Sequence, residues 1–563
     1  MHNRLLNIVT EYKKEAYTDV ILQKPDAQLI YHLSPQRHTI IDFFEWTGTE
    51  QVLELAAGCG AITEALTKRA GFVCAITGSA DDQAVVEKRL QSARNLSCET
   101  LELSQPPACE ERLEQLRQTS CPQGFDVVTL IGVSEQHSHI NGQILQELIQ
   151  LAYRLLKEDG VLLYAGPNRY GMKYFAGAKE DRLHKYFAGI EGYSGETDCA
   201  SFSKKELQRM FDSAGFLQTE CYYPHQDYRL PLTIYSDRRL PAVGELKQEM
   251  ANYDDDRMAL FDEGHAFDGV ITEGMYPFFA NSYLILACKG NGRLNAPDYA
   301  RFAVDRSPAF AVKTAIRGKQ VYKTAVYPEG RTHIAHICEA WKHLSEQYGA
   351  TLTFNRIPEQ TQDQIRLEYV EGESLNSRIN RLLSRGDTGL AYELLEQLQQ
   401  LLTGVPQTEF VMTEEFRQVF GQSAAEKLAK SGLQFQTLQY SDIDLIPQNV
   451  LKTPDGDQVI DYEWTFDFPI PVEYIVYRGL WMTAMENDGY EAFEPDRLLA
   501  RFGIDRRKRE IFDAMEAGFQ SYVCGGKPPL RSTLLTMKRR FTDIRALDEK
   551  IDKIKKSPIG RWL

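Results

Sequence analysis

A chain of 563 residues is too long for one hydrophobic core and implies roughly two to four domains. With 43% hydrophobic and 25% charged residues it has the composition of ordinary globular protein, and no apolar run approaches the ~20 residues that cross a bilayer. A formal charge of −15 argues against a general nucleic-acid binder, which needs a basic surface to displace counterions.

The polar start MHNRLLNIVTEYKKEAYTDV lacks the apolar core of a signal peptide, and residues 1–46 read as a helical lead-in. The ten cysteines form no Cys-x-x-Cys pair, so reduced thiols in a cytoplasm are expected rather than a disulfide framework. From Thr47 to Gly290 short apolar strands (QVLELA, FVCAIT, FDVVTLIGV, GVLLYAG, ECYYP, SYLILACK) alternate with amphipathic helices such as AITEALTKRA and NGQILQELIQLAYRLL. That alternation predicts an α/β domain over 47–290, its mostly parallel sheet covered on both faces. KGNGRLNAPD is rich in turn formers and marks a linker at 291–298. A second, α+β domain over 299–530 opens with the strands AVKTAI and QVYKTAVY. The helix HIAHICEAWKHLSEQYG, the stretch QIRLEYVEGESL and a largely helical remainder follow. In 531–563, Leu534, Met537, Phe541, Ile544, Ile551 and Ile554 recur at helical steps among ten Lys/Arg and four Asp/Glu, predicting a basic amphipathic C-terminal helix.

VLELAAGCGAITEAL, Val52 to Leu66, reads as strand, glycine turn and helix. Gly58 and Gly60 permit a tight turn and a close ligand, and the helix start offers free N–H groups. Glu54 places a carboxylate inside an apolar strand, where a polar task is expected. A dinucleotide-binding fold would want a third glycine near Thr63, which is absent. The stretch resembles motif I of class I S-adenosylmethionine-dependent methyltransferases, which implies a Rossmann-like, mostly parallel seven-stranded sheet. It also implies S-adenosylmethionine over Ala56, Gly58 and Gly60, with Glu54 helping to hold the methionine end. The family grips the ribose with an acid at the tip of the next strand, but Thr77 stands there. Asp81 or Asp82 on the following turn either reaches the ribose or caps the helix DDQAVVEKRL. FDVVTLIGVSEQHSH matches the family's fourth strand: Asp126 begins it, and Ile131 to Glu135 should lie beneath the sulfonium.

The loop Gly166 to Tyr193 is dense in aromatics, glycines and charges. Either it binds the acceptor, through Asn168, Arg169, Lys173, Tyr174, Arg182 and His184, or it is a packed lid whose aromatics bury its own weight. His137 and His139 are candidate bases for a hydroxyl acceptor, and His137 is taken as the catalytic one. With SFSKKELQRMFDSAGF and YYPHQDYRLPLTIYSDRRLP, this region resembles methyltransferases of bacterial surface-glycan synthesis, which implies a glycan or sugar-containing acceptor.

YSDIDLIPQNVLKTPDGDQVIDYEW, Tyr440 to Trp464, carries Asp444, Asn449 five residues later, and Asp461. They are either turn formers in a core hairpin or a converging set, the first Asp orienting an acceptor hydroxyl while Asn and the second Asp hold Mg²⁺ against nucleotide phosphates. The stretch resembles the aminoglycoside-phosphotransferase branch of the protein-kinase-like fold. That resemblance implies ATP and Mg²⁺, catalytic Asp444, metal ligands Asn449 and Asp461, and Lys323 on the phosphates with Glu339 as its helix partner. It also makes Ile365 to Leu375 the hinge that takes the adenine, and has Trp464 and Arg478 brace the metal loop. Two departures stand: no Gly-rich loop precedes Lys323, and Asp442 lies where the family usually has His. The order of domains resembles bacterial O-antigen chain-terminating enzymes that phosphorylate and methylate a polysaccharide end. It implies a cytoplasmic enzyme whose C-terminal helix meets either the inner membrane face or a protein partner. A non-phosphorylating second domain that serves only as scaffold is the competing reading.

Overall fold

The computed structural model describes residues 1–136, 139–196, 201–246, 257–291, 294, 296–349, 351–487, 489–529 and 541–556. The chain forms two compact units, one comprising residues 1–301 and the C-terminal segment, the other residues 302–529.

In the first unit, β1 (Gln51–Leu55), β2 (Phe72–Thr77), β3 (Leu96–Thr100), β4 (Phe125–Ile131) and β5 (Leu156–Pro167) are parallel and lie in the order β3-β2-β1-β4-β5. The strands of the centre are apolar along their length because helices cover both faces. In β1 only the first residue is less than fully buried. Beyond β5 the sheet turns antiparallel. β6 (Gln218–His225) and β7 (Thr233–Ser236) lie outside β9 (Ser282–Cys288), and β9 runs antiparallel to both β5 and β6. β8 (Arg257–Ala259) stands apart from this sheet, and β10 (Tyr299–Phe302) pairs with β7 through Ala300 and Arg301.

The unit is thus Rossmann-like and mostly parallel at its centre, but β7 and β10 take it past seven strands. Pairing of β10 also carries the first unit through the expected linker to Arg301. The tail differs as well. Phe541–Asp543 is a strand parallel to β8, and the helix begins only at Ile544, running to Lys556. Asp543 explains the break, since its carboxylate accepts from the backbone N–H of Arg545 and Ala546 as an N-cap. Leu534 and Met537 lie outside the described residues. Leu547, Ile551 and Ile554 are exposed on the helix.

Order reverses between β1 and β4, so a crevice opens at their carboxyl ends, where open α/β sheets bind ligands. The N-terminal helices cover part of it. Leu5, Val9, Tyr17, Ile21, Leu29, Ile30 and Leu33 share one core with Cys59, Val85 and Leu230.

In the second unit, β11 (Val312–Arg317) and β12 (Gln320–Ala325) form a hairpin. After the short β13 (Thr353–Phe354) and β14 (Glu359–Gln360), β15 (Gln364–Glu368) joins β12, with β14 on its far side. The helix Arg331–Tyr348 buries Ile334, Ile337 and Leu344 at helical spacing. A second small sheet sets β13 beside Gly456–Val459, which pairs with Val450–Thr453, and helices make up most of the remainder.

Candidate functional site

The turn after β1 is left-handed at three residues, Ala56 (φ 65°), Gly58 (φ 51°) and Gly60 (φ 79°). A Cβ on Gly60 would stand 3.1 Å from Cγ2 of Val86, so the turn is pressed against the helix Ala80–Arg89. Glu54 is 2% exposed and its Oε2 has no partner. Burial pushes its carboxyl up to about 7, and Thr63 and Arg37 draw it only partly back. An uncompensated carboxyl oxygen beneath a left-handed turn fits a cationic or hydrogen-bond-donating ligand group, such as the ammonium of a bound amino acid.

Ile131 ends β4 fully buried, and Gly132 follows at φ 70°, where a Cβ would meet the hydroxyls of Tyr228 at 3.3 Å and Tyr31 at 3.5 Å. Arg37, also buried, lies over the rings of Tyr31 (4.7 Å) and Tyr228 (5.8 Å) and donates to the carbonyls of Tyr228 and Arg229, both at 3.0 Å. These residues come from the lead-in and from the loop after β6, and nothing in their spacing marks them in the sequence.

Two residues expected at the ribose, Thr77 and Asp81, are placed otherwise. Thr77 is fully buried, and its hydroxyl makes bonds to Ser79, Glu99 and Thr100 that hold β2 to β3, so it does not face a ribose. The helix after β2 is capped by Ser79, which accepts from the Asp82 N–H. Asp81 is exposed in the first turn, and Asp82 instead meets Cys59 and His2. Asp126 sits at the opposite end of the sheet, accepting from Gln51 N–H and Lys157, a structural task.

His137 lies outside the described residues, as does the side chain of Glu135. His139 is exposed at φ 67°. The loop 166–193 is packed and hydrogen-bonded. Asn168 is fully buried and donates to the carbonyls of Phe278 (2.8 Å) and Ala280 (2.7 Å). Tyr170 stacks on Phe278. Lys173 pairs with Asp181 at 2.9 Å and Asp227 at 3.6 Å, and Tyr174 donates to Asp181 at 2.6 Å. Burial alone would push the Asp181 carboxyl up, but Lys173 and Arg229 outweigh it and leave it below its ordinary value. Arg169 donates to the Ser201 carbonyl and pairs with Glu206 at 3.2 Å; Arg182 donates to the Ile140 carbonyl, and His184 is exposed. Asn168, Lys173 and Tyr174 are therefore buried in this packing.

In the second unit Lys323 pairs with Asp461 and Asn449 with Asp444, and the Asp461 charge acts on Asp444. The Lys323 ammonium contacts Asp461 directly and reaches Glu463 at 3.0 Å. The Asn449 amide donates to the Asp444 carbonyl at 2.9 Å, which leaves its oxygen as the atom available to a cation. Asp444 accepts from Arg478 at 2.6 Å, and burial, opposed by Arg478, holds its carboxyl above the usual value. Asp461, left-handed at φ 60°, follows the hairpin Val450–Val459 and is partly exposed. An amide oxygen and carboxylates are donor types that a hard divalent ion takes, and a lysine ammonium is one that a phosphate takes. Trp464 and Arg478 brace this loop as expected: Trp464 packs against Phe310 and Phe519, and Arg478 bridges Asp444, the Ile443 carbonyl and Glu516. Asp442 is buried, accepts from the Asp444 N–H at 3.0 Å, and is pushed well up by burial and by Asp444.

The expected partnership of Lys323 with Glu339 is not formed. Glu339 lies on the exposed side of its helix, whereas His333 faces inward from the same helix. Besides Asp461, the carboxylate that meets Lys323 is Glu463, two residues further on, and it also contacts Arg306 at 2.8 Å and His333 at 3.7 Å. Three cationic or protonatable groups around it hold Glu463 well below the usual carboxylate range despite complete burial.

No family model matches the chain, and no curated protein matches it. Among solved structures, a SAM-dependent methyltransferase from Archaeoglobus fulgidus aligns at 16% identity over 48% of this chain and 99% of that one, with a TM-score of 0.28. A Thermotoga maritima SAM-dependent methyltransferase aligns at 11% identity over 49% and 100%, TM-score 0.27. A Haemonchus contortus N-methyltransferase solved with S-adenosylhomocysteine aligns at 14% identity over 52% and 61%, TM-score 0.28. Likenesses at those TM-scores carry no argument about activity, which rests on the residues described above.

Proposed function

We propose that the chain is a two-domain transferase whose first unit transfers a methyl group from S-adenosylmethionine. The observation that carries this reading is the buried, unpartnered Glu54 oxygen beneath the left-handed turn Ala56–Gly60, at the point where strand order reverses. S-adenosylmethionine supplies an electrophilic methyl on sulfur. Glu54 would hold its ammonium, Gly58 and Gly60 would admit its backbone-facing edge, and Ile131 would floor the reactive end. The loop 166–193 would exclude water from that crevice.

For the second unit we propose phosphate transfer to a sugar hydroxyl, supported by the pairing of Lys323 with Asp461 and of Asn449 with Asp444. ATP with Mg²⁺ supplies the phosphoryl group. Lys323 would neutralise phosphate charge, Asn449 and Asp461 would hold the metal, and Asp444 would orient the acceptor hydroxyl. The wider setting, a bacterial cell-surface glycan or its precursor, rests on the sequence resemblance. So does attachment of the exposed apolar edge of the C-terminal helix to a membrane face or a partner.

A second reading, an inactive scaffold, is favoured by the pairing of Lys323 with two acids and by Asp442 in the usual place of His. Thermal shift separates the two. If ATP with Mg²⁺ fails to raise the melting temperature while S-adenosylmethionine does, the scaffold reading stands. Labelled S-adenosylmethionine and labelled ATP, incubated separately with a panel of mono- and oligosaccharides, test both transfers directly. Absence of methyl transfer and of S-adenosylmethionine binding would overturn the first proposal.

A further inference from the structure

His2, Cys59 and Asp82 come from three separate segments of the first unit: the start of the N-terminal helix His2–Glu11, the glycine turn, and the helix Ala80–Arg89. Folding brings their donor atoms together. Sγ of Cys59 and Nε2 of His2 each lie 3.1 Å from Oδ1 of Asp82, and the three atoms fall within 4.8 Å of one another. Zinc takes sulfur at about 2.3 Å and nitrogen or oxygen at about 2.0 Å, so tetrahedral ligands stand roughly 3.3–3.6 Å apart. Small side-chain adjustments would seat an ion among these three.

The surroundings support the same reading. One thiol, one imidazole and one carboxylate form a donor set for a zinc-type ion, whereas Mg²⁺ and Ca²⁺ prefer oxygen alone. The second oxygen of Asp82 accepts from the Ser79 hydroxyl at 2.7 Å, which orients the carboxylate as outer partners of metal ligands do. Cys59 is buried while the His2 side chain is 45% exposed, so an ion can enter from solvent and keep a fourth position open. Leu5 and Val9 already seat the N-terminal helix on the core that contains Cys59 and Val85.

We propose that His2, Cys59 and Asp82 bind a zinc-type divalent cation that pins the N-terminal helix to the glycine turn. Binding replaces the thiol proton of Cys59, which leaves to solvent, by a sulfur–metal bond; no oxidation or reduction occurs. The site shares the glycine turn with the proposed cofactor cradle, since Cys59 stands between Gly58 and Gly60.

The tag-free full chain, with its own first residues and a phosphine reductant, is titrated with Co²⁺ as the probe. One equivalent should produce a near-ultraviolet sulfur-to-cobalt charge-transfer band that Zn²⁺ displaces. Cys59→Ser should abolish the band. His2→Ala, at an exposed position that leaves the fold intact, should weaken binding about tenfold or more, and Ser79→Ala about tenfold. No band at one equivalent, a band that survives Cys59→Ser, or unchanged affinity in His2→Ala would overturn the proposal. The cluster would then be a hydrogen-bonded latch in which thiol and imidazole both donate to Asp82.

Discussion

Replacing Glu54 with Gln keeps the side chain's shape and removes its charge. In the folded chain burial lifts this carboxyl from an ordinary 4.5 to about 7. Between those values the folded protein holds a proton that the unfolded chain has released, so stability falls as pH rises through the window. Above pH 7 the full destabilisation applies, roughly 3 kcal/mol at about 1.4 kcal/mol per pH unit of displacement. Without cofactor, Glu54→Gln should therefore raise the melting point of the first unit at pH 8 by roughly 5 °C or more, and the gain should shrink towards zero at pH 5. Cofactor binding should respond in the opposite sense. An ammonium beside Glu54 favours the ionised form, so wild-type affinity for S-adenosylhomocysteine should rise with pH up to about 7 and then level off. The variant should bind more weakly at pH 8 and show a flat profile. Thermal scans at the two pH values and titration calorimetry from pH 6 to 8.5 read both effects. A variant equally destabilised at pH 5 and pH 8, with unchanged affinity, would refute the account of Glu54 as a buried, cofactor-facing carboxyl.

Asp444→Ala should lower phosphate transfer by at least about 10²-fold and spare methyl transfer, measured with labelled ATP and labelled S-adenosylmethionine on one preparation. Gly60→Ala should do the reverse: its φ of 79° and the 3.1 Å approach to Val86 add about 1–2 kcal/mol of strain, and calorimetry should show S-adenosylhomocysteine binding weakened roughly 5- to 30-fold while ATP binding is unchanged. Glu463→Gln leaves Lys323, Arg306 and His333 around a neutral group, and denaturant titration should find the second unit about 3 kcal/mol or more less stable. Because the folded-state value of Glu463 is depressed, its contribution is present above the ordinary carboxylate range and lost as pH falls; the difference between wild type and variant should narrow on acidification. Glu339→Ala, by contrast, should change stability by less than about 0.5 kcal/mol and leave the Michaelis constant for ATP unmoved.

Short-range pattern made much of this legible. Strand, left-handed turn and helix follow one another within Val52 to Leu66, so Glu54, Gly58 and Gly60 could be singled out before any fold was known. Asp444 and Asn449 are likewise set by one loop, and the amide of Asn449 bonding the Asp444 carbonyl shows why their spacing is tight. The errors lie where partners are distant in the chain. Glu339 has a sensible sequence position, but helix phase turns it to solvent and turns His333 inward. Lys173 stands in the sequence as an acceptor ligand or a lid residue, and its pairing with Asp181, enclosed by Asp227 and Arg229 from another strand's loop, is visible only in the fold.

Local periodicity and turn chemistry, acting over a few residues, determined the strands, the glycine turn and the two acidic loops from the amino-acid order alone. Tertiary packing decided which polar groups were brought together: Glu463 with Lys323, Arg37 over Tyr31 and Tyr228, and Cys59 with His2 and Asp82. It also paired β10 with β7 and the strand Phe541–Asp543 with β8, pairings that their short, weakly patterned sequences do not announce. The physical reason is that backbone preference is summed over neighbours, whereas the cost of burying a charge depends on groups that only the folded chain brings within a few ångströms.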